Sequence, residues 1–119
     1  SEMRNLEKFL QRRDIGFPQL PERSLLIKSS KELAQKVRQD FDELVVVGIG
    51  GSSLGIKALY EVLGHPRASH RLHFCDNVDP HEFSKLWESI SELKKTFWVF
   101  ISKSGSTIET LVAADYIQN

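Results

Sequence analysis

This sequence has a single cysteine, no excess charge of either sign and no long apolar run. A lone Cys75 can form no internal disulfide, which excludes a stapled secreted scaffold. Because Leu72 to Phe74 read as a strand, Cys75 is expected to be a buried apolar side chain and not a reactive thiol. Lysine plus arginine number 16 and aspartate plus glutamate number 16, so the formal net charge is +0. That balance removes the basic footprint of a nucleic-acid binder and any bulk attraction to an anionic membrane. No stretch approaches the ~20 apolar residues that span a bilayer. Ser1-Glu2-Met3-Arg4 opens a charged stretch unlike a signal peptide, with Ser1-Glu2 reading as a remnant ahead of Met3. The expected compartment is the cytoplasm. His65, His70, His73 and His81 lack metal-ligand spacing and read as structural or surface residues, so no metal site is expected.

What is present is ordinary for a globular domain. The 119 residues make one domain's worth of chain. At 40% hydrophobic and 27% charged, the composition excludes a disordered, collagenous or coiled-coil chain. Residues 1–28 differ from the rest. Leu6, Phe9 and Leu10 sit at helical spacing, and Gly16-Phe17-Pro18 and Leu20-Pro21 then break the helix. This stretch reads as a leader lying across a domain.

From Ser29 the pattern is regular. Ser29 and Glu32 have capping-box spacing, with Leu33, Val37 and Phe41 on one helical face. Residues 43–48 carry four consecutive apolar side chains, three of them β-branched, as in a strand buried on both faces. A helix with Leu54, Ala58, Leu59, Val62 and Leu63 follows, ended by Gly64 and Pro66. Residues 71–75 form a second strand. Asp79 then caps a helix that has Pro80 in its first turn and Glu82 three residues past the cap. Phe83, Leu86, Trp87, Ile90 and Leu93 make its apolar stripe. Residues 96–101 form a third strand, and Ser106 and Glu109 repeat the capping-box spacing before Leu111, Val112 and Ala114. Trp87 and Trp98 are expected in the core. Strands alternating with helices predict an α/β three-layer sandwich on a parallel sheet. The expected strand order is 2-1-3, by analogy with flavodoxin-like sheets.

In such sheets ligands bind beyond the carboxyl ends of the strands. Three loops lie there: residues 48–55, 76–79 and 102–107. The first, Gly48-Ile49-Gly50-Gly51-Ser52-Ser53-Leu54-Gly55, joins a strand to a helix. Its glycines let backbone approach a ligand, and the helix start offers free N–H groups to an anion. A plain tight turn with Ser52 or Ser53 as N-cap is the simpler reading. A dinucleotide fingerprint is another, with Gly48, Gly50 and Asp76 as its glycines and ribose-binding acid, but Ser53 stands at the last glycine position. The third loop favours a compact phosphate. Ser102, Ser104, Ser106 and Thr107 place four hydroxyls in six residues, with Lys103 and Gly105 between them. Asp76 is ambiguous between capping and ligand binding.

Two blocks carry a resemblance. Residues 48–55 look like the G-I-G-G-S-x-L-G signature of the glucose-6-phosphate isomerase family. Ser102-Lys103-Ser104-Gly105-Ser106-Thr107-Ile108-Glu109-Thr110 is similar to that family's S-K-[ST]-x-[ST]-T-x-E-T signature in bacterial form. The resemblance spans about residues 44–119. It implies the sugar-isomerase (SIS) fold, here a partial domain over residues 29–119 with about three strands where the family's domain has five. It implies a hexose 6-phosphate ligand. Ser102, Ser104 and Thr107 would bond the phosphate through hydroxyls. Lys103, Gly105 and Ser106 would add backbone N–H groups or shape, and Gly51 and Ser52 would meet the ligand from the first loop. The family interconverts glucose 6-phosphate and fructose 6-phosphate through an enediol, without metal or redox cofactor, and works as dimers. Its catalytic glutamate, its ring-opening histidine and lysine, and its stabilising arginine have no counterpart here, so this chain is expected to be an inactive amino-terminal fragment with no catalytic residue. A stand-alone phosphosugar-sensing domain and a nucleotide-binding oxidoreductase module are the alternatives.

Overall fold

Val45, Val46 and Val47 follow one another with almost no surface left exposed. Three consecutive β-branched side chains are stiff at χ1 and suit an extended backbone with cover on both faces. They belong to β1, Glu43–Val47, the middle strand of the sheet. The computed structural model describes residues 2–12, 16–64 and 71–118. Its helices are α1, Glu2–Leu10; α2, Ser24–Asp40; α3, Leu54–Leu63; α4, Pro80–Ser89; and α5, Ile108–Gln118. The flanking strands are β2, Arg71–Cys75, and β3, Thr96–Phe100. Both pairings are parallel, as the alternation of elements predicts, and the order is β2-β1-β3, as expected from the analogy with flavodoxin-like sheets.

The chain packs as two units, residues 1–36 and 37–119. In the first, the Gln19 side-chain amide donates to the carbonyls of Leu10 and Arg12 at 3.3 and 3.4 Å. These bonds satisfy acceptors that a helix end leaves open. The second unit holds the sheet.

Register assigns the faces. Val45 pairs with His73 and Trp98, and Val47 with Cys75 and Phe100. This face meets α4 and α5, where Leu86 and Ala113 complete a core with Phe83, Ile90, Trp98 and Ile117 packed around it. Trp98 meets Trp87 edge-on at 5.6 Å between centroids, a favoured aromatic geometry. The opposite face carries Val46 beside Phe74 and Val99. There Phe74 meets Tyr60 of α3, and Phe97 meets Phe41 just past α2. Full burial of each central valine stabilises the sheet by about 2 kcal/mol.

Several local expectations shift. The helix expected at Ser29 begins at Ser24, and the Ser29 hydroxyl donates back to the Leu26 carbonyl instead of capping. The α4 helix stops at Ser89, so Leu93 falls in a short turn and is exposed. Leu54, Leu59, Val62 and Leu63 of α3 are exposed. On α3, Tyr60 and Lys57 meet Phe74 of the sheet instead. Leu111 and Val112 of α5 are likewise exposed, and Thr110 and Ala113 are buried in their place. The expected roles of His65, Pro66 and His70 lie outside the described residues.

Candidate functional site

The three strands end level with one another, and two backbone bonds carry the pairing one residue further. Gly48 N–H donates to the Cys75 carbonyl at 3.0 Å, and Ile101 N–H donates to the Val47 carbonyl at 2.9 Å. The loops after β1, β2 and β3 therefore leave from one edge. Gly48 is wedged there: a Cβ at this position would lie 3.0 Å from Ser52 Cβ and 3.1 Å from the Ile101 carbonyl oxygen. The first loop thus folds back over its own start, against the end of β3, and any side chain here would require Ser52 or the Ile101 carbonyl to give way.

Each of the two outer-signature loops turns on a glycine in the left-handed region, Gly50 at φ 57° and Gly105 at φ 70°. A side chain at either position would be strained. Gly50–Ser52 form a single short turn of helix before α3. Gly51 is exposed, Ser52 half-buried and Ser53 fully buried. Ser53 stands at the N-cap of α3 but gives no side-chain cap bond. Its hydroxyl donates to the Gly50 carbonyl at 3.3 Å. The plain-cap reading of this loop therefore fails at Ser53, and the first N–H groups of α3 have no side-chain acceptor from it.

The third loop holds its hydroxyls in a local network. Gly105 N–H donates to Ser102 Oγ at 3.0 Å, and Ser102 Oγ lies 3.1 Å from Thr107 Oγ1. Ser104 Oγ accepts from both the N–H and the hydroxyl of Ser106, at 3.2 and 3.0 Å. Ser102 and Thr107 are half-buried, while Lys103, Ser104, Gly105 and Ser106 are exposed. Lys103 pairs with no carboxylate among the described residues. The hydroxyl of Ser106 is turned to Ser104, and α5 starts after Thr107, whose carbonyl accepts the Leu111 N–H. Thr110 Oγ1 is buried without a hydrogen-bond partner among the described residues. It lines an open groove with Phe100, Ser102, Thr107 and Leu111. Hydroxyl and N–H donors around two positive-φ turns can bind an anion.

The second loop is committed differently. Asp79 caps α4 as expected, accepting from His81 N–H at 2.9 Å and Glu82 N–H at 3.3 Å. Asp76 pairs with Lys57 of α3, which also lies 5.2 Å over the Phe74 ring. Its carboxylate is therefore engaged where a ribose-binding acid would be free. Burial, aided by the Asp76 carboxylate, pushes the Cys75 thiol up to about 11. At neutral pH it is a protonated core side chain and a poor nucleophile.

At the opposite edge lies a cluster that sequence reasoning passed over. Glu43 opens β1 with its side chain 1% exposed. It accepts from Arg71 Nη2 at 2.6 Å, His73 Nε2 at 2.9 Å and Ser91 N–H at 2.9 Å. Burial alone would raise its pKa, but the Ser91 N–H, His73 and Arg71 outweigh it and hold the carboxyl below the usual range. A charged residue beginning each of two paired strands was the available signal. Among the described residues no group of His, Cys, Asp and Glu is arranged to hold a metal, and no helix is long and apolar enough to cross a membrane.

An open parallel sheet with two glycine–serine turns at its carboxyl edge defines an α/β domain of the doubly wound class, with both turns where such sheets place their ligand-binding loops. The comparisons narrow this class. The family model described as phosphoglucose isomerase matches residues 25–119, so the chain belongs to the phosphoglucose isomerase family. It is 40% identical over 104 residues to a glucose-6-phosphate isomerase of Rubrobacter xylanophilus, covering 81% of this chain and 24% of that one. It is 40% identical over 100 residues to the Campylobacter jejuni glucose-6-phosphate isomerase, covering 82% and 24%. A crystal structure of a glucose-6-phosphate isomerase from Chlamydia trachomatis superposes with a TM-score of 0.66 at 36% identity, over 71% of this chain and 16% of that chain. The chain thus spans about a quarter or less of the length of these relatives.

Proposed function

We propose that this chain is the phosphate-binding part of a glucose-6-phosphate isomerase. The whole enzyme would interconvert glucose 6-phosphate and fructose 6-phosphate by base-catalysed proton transfer through an enediol. The observation that carries this reading is the pair of positive-φ turns at one sheet edge, with Gly48 fitted between Ser52 and Ile101. Ser102, Ser104 and Thr107 would donate hydroxyls to the phosphate. Lys103, Gly105 and Ser106 would supply N–H groups and shape, and Gly51 and Ser52 would close on the ligand from the first loop. Charge-assisted bonds of this kind are short and roughly twice as strong as neutral ones. The chain by itself would bind and not isomerise, because the catalytic glutamate of the family it resembles has no counterpart in it. Residues 1–28 would act as a leader to a partial sugar-isomerase domain over residues 29–119. The whole protein would be a cytoplasmic homodimer that needs no metal or redox cofactor.

The test is an amide-resolved titration of the 119-residue chain with glucose 6-phosphate, inorganic phosphate and NAD. Shifts confined to residues 48–55 and 102–107 with the two phosphates support the reading. Shifts with NAD alone overturn it, and so does measurable isomerisation of fructose 6-phosphate by this chain for the claim of inactivity.

A further inference from the structure

The loop at residues 48–53 contains three glycines, and glycine loses more conformational freedom on ordering than any other residue. Its far end has no side-chain cap, because Ser53 turns its hydroxyl to Gly50. Something else must hold it. We propose that Lys57 and Asp76 form a clamp that positions this loop for an anion. The inference rests on the phosphate reading above and deepens it.

The connectivity closes a ring. At one end Gly48 N–H is bonded to the carbonyl of Cys75. At the other, Lys57 N–H donates to the Ser53 carbonyl at 3.0 Å, fixing Lys57 in the first turn of α3. The Lys57 ammonium reaches across to Asp76, the residue after Cys75. The first residue of the loop is therefore tied to the end of β2 by backbone, and the last is tied to it through Lys57 and its ion pair. Both partners are about two-thirds buried, with side chains 31% and 33% exposed. The ammonium also sits 5.2 Å over the Phe74 ring, which adds a cation–π contact that confines it. With Lys57 turned to Asp76, recognition is left to the N–H and hydroxyl donors of the loops and to the exposed Lys103.

A positioning role and a charge role predict opposite patterns. If Lys57 acted on the anion as a charge, Lys57→Met would weaken phosphate binding and Asp76→Asn, by freeing the ammonium, would strengthen it. A clamp predicts that both variants weaken it, by about threefold to tenfold for loss of a partly buried pair. The experiment is inorganic phosphate titration of the wild-type 119-residue chain, Lys57→Met, Asp76→Asn and the swapped pair Lys57→Asp with Asp76→Lys, with amide hydrogen exchange measured on each. The expected result is weaker binding in both single variants, faster exchange at residues 50–53 without matching change in β1, and recovery of both in the swap. Opposite effects of the two single variants, or unaltered exchange at residues 50–53, overturn the clamp. If the wild-type chain shows no response to phosphate or hexose 6-phosphate, the phosphate reading falls. Exchange at residues 50–53 then decides the clamp by itself.

Discussion

The two ends of this sheet solve different problems. At the amino end Glu43 is buried and both its carboxylate oxygens are engaged by Arg71, His73 and the Ser91 N–H. At the carboxyl end Ser102, Ser104, Ser106 and Thr107 are exposed or half-buried, and they bond chiefly to one another. A buried charge is tolerated only when its partners are fixed, so the amino end is rigid by necessity. Weak hydroxyl–hydroxyl bonds near water exchange readily for a stronger charged acceptor, so the carboxyl end is suited to a ligand. The same three strands separate a structural task from a binding task.

The sharpest way to break this contrast is Glu43→Ala. It leaves the Ser91 N–H and His73 without their acceptor, and a loss of about 3 kcal/mol is expected in urea unfolding, with Arg71 contributing little because it is half exposed. The phosphate affinity of the folded fraction should not move. Next, Ser104→Ala with Thr107→Ala should do the reverse. Phosphate binding should fall by roughly 1–3 kcal/mol per charge-assisted bond in calorimetry, with the unfolding midpoint nearly unchanged. Gly48→Ala should blur the contrast. Its Cβ would press on Ser52 and the Ile101 carbonyl, which is expected to cost about 1–3 kcal/mol of stability and to weaken phosphate binding as well. Gly105→Ala imposes φ 70° on a side chain, for a loss of about 1–2 kcal/mol. The smallest effect is a pH slope. Glu43's folded pKa lies below its unfolded value near 4.5, so the unfolded state binds the proton more readily. Its contribution is complete above that value and is lost as pH falls through the folded pKa. The melting temperature of the wild type should drop over that acid range more steeply than that of Glu43→Gln.

The sheet was legible because its signals are local. Three β-branched residues in a row mark β1, and Asp79-Pro80 marks the start of α4 through a cap the structure contains. Alternating elements announced a parallel sheet, and the strand order came from analogy with flavodoxin-like sheets. Helix boundaries were less legible. Ser29 and Glu32 have capping-box spacing, yet helix-forming residues from Ser24 onward let the helix start earlier. Apolar spacing on α3 and α5 gave stripes without saying which face finds a partner, because packing depends on how many strands lie beneath. The Lys57–Asp76 pair was invisible, since 19 residues separate its members. Glu43 was hidden for the same reason: its partners lie 28 to 48 residues away.

The register aligns Glu43 with Arg71 and Thr96, and Val47 with Cys75 and Phe100. All three strands are five residues long and flush at both ends. At about 3.3 Å of rise per residue, the four steps from first residue to last put the two ends roughly 13 Å apart. The flush sheet therefore works as a spacer, and Arg71 and His73 offset the Glu43 carboxylate at its own end. A carboxylate at the first residue of β1, paired there with Arg71, adds little repulsion to a phosphate arriving beyond the last, and the anion meets loop amides, hydroxyls and the exposed Lys103.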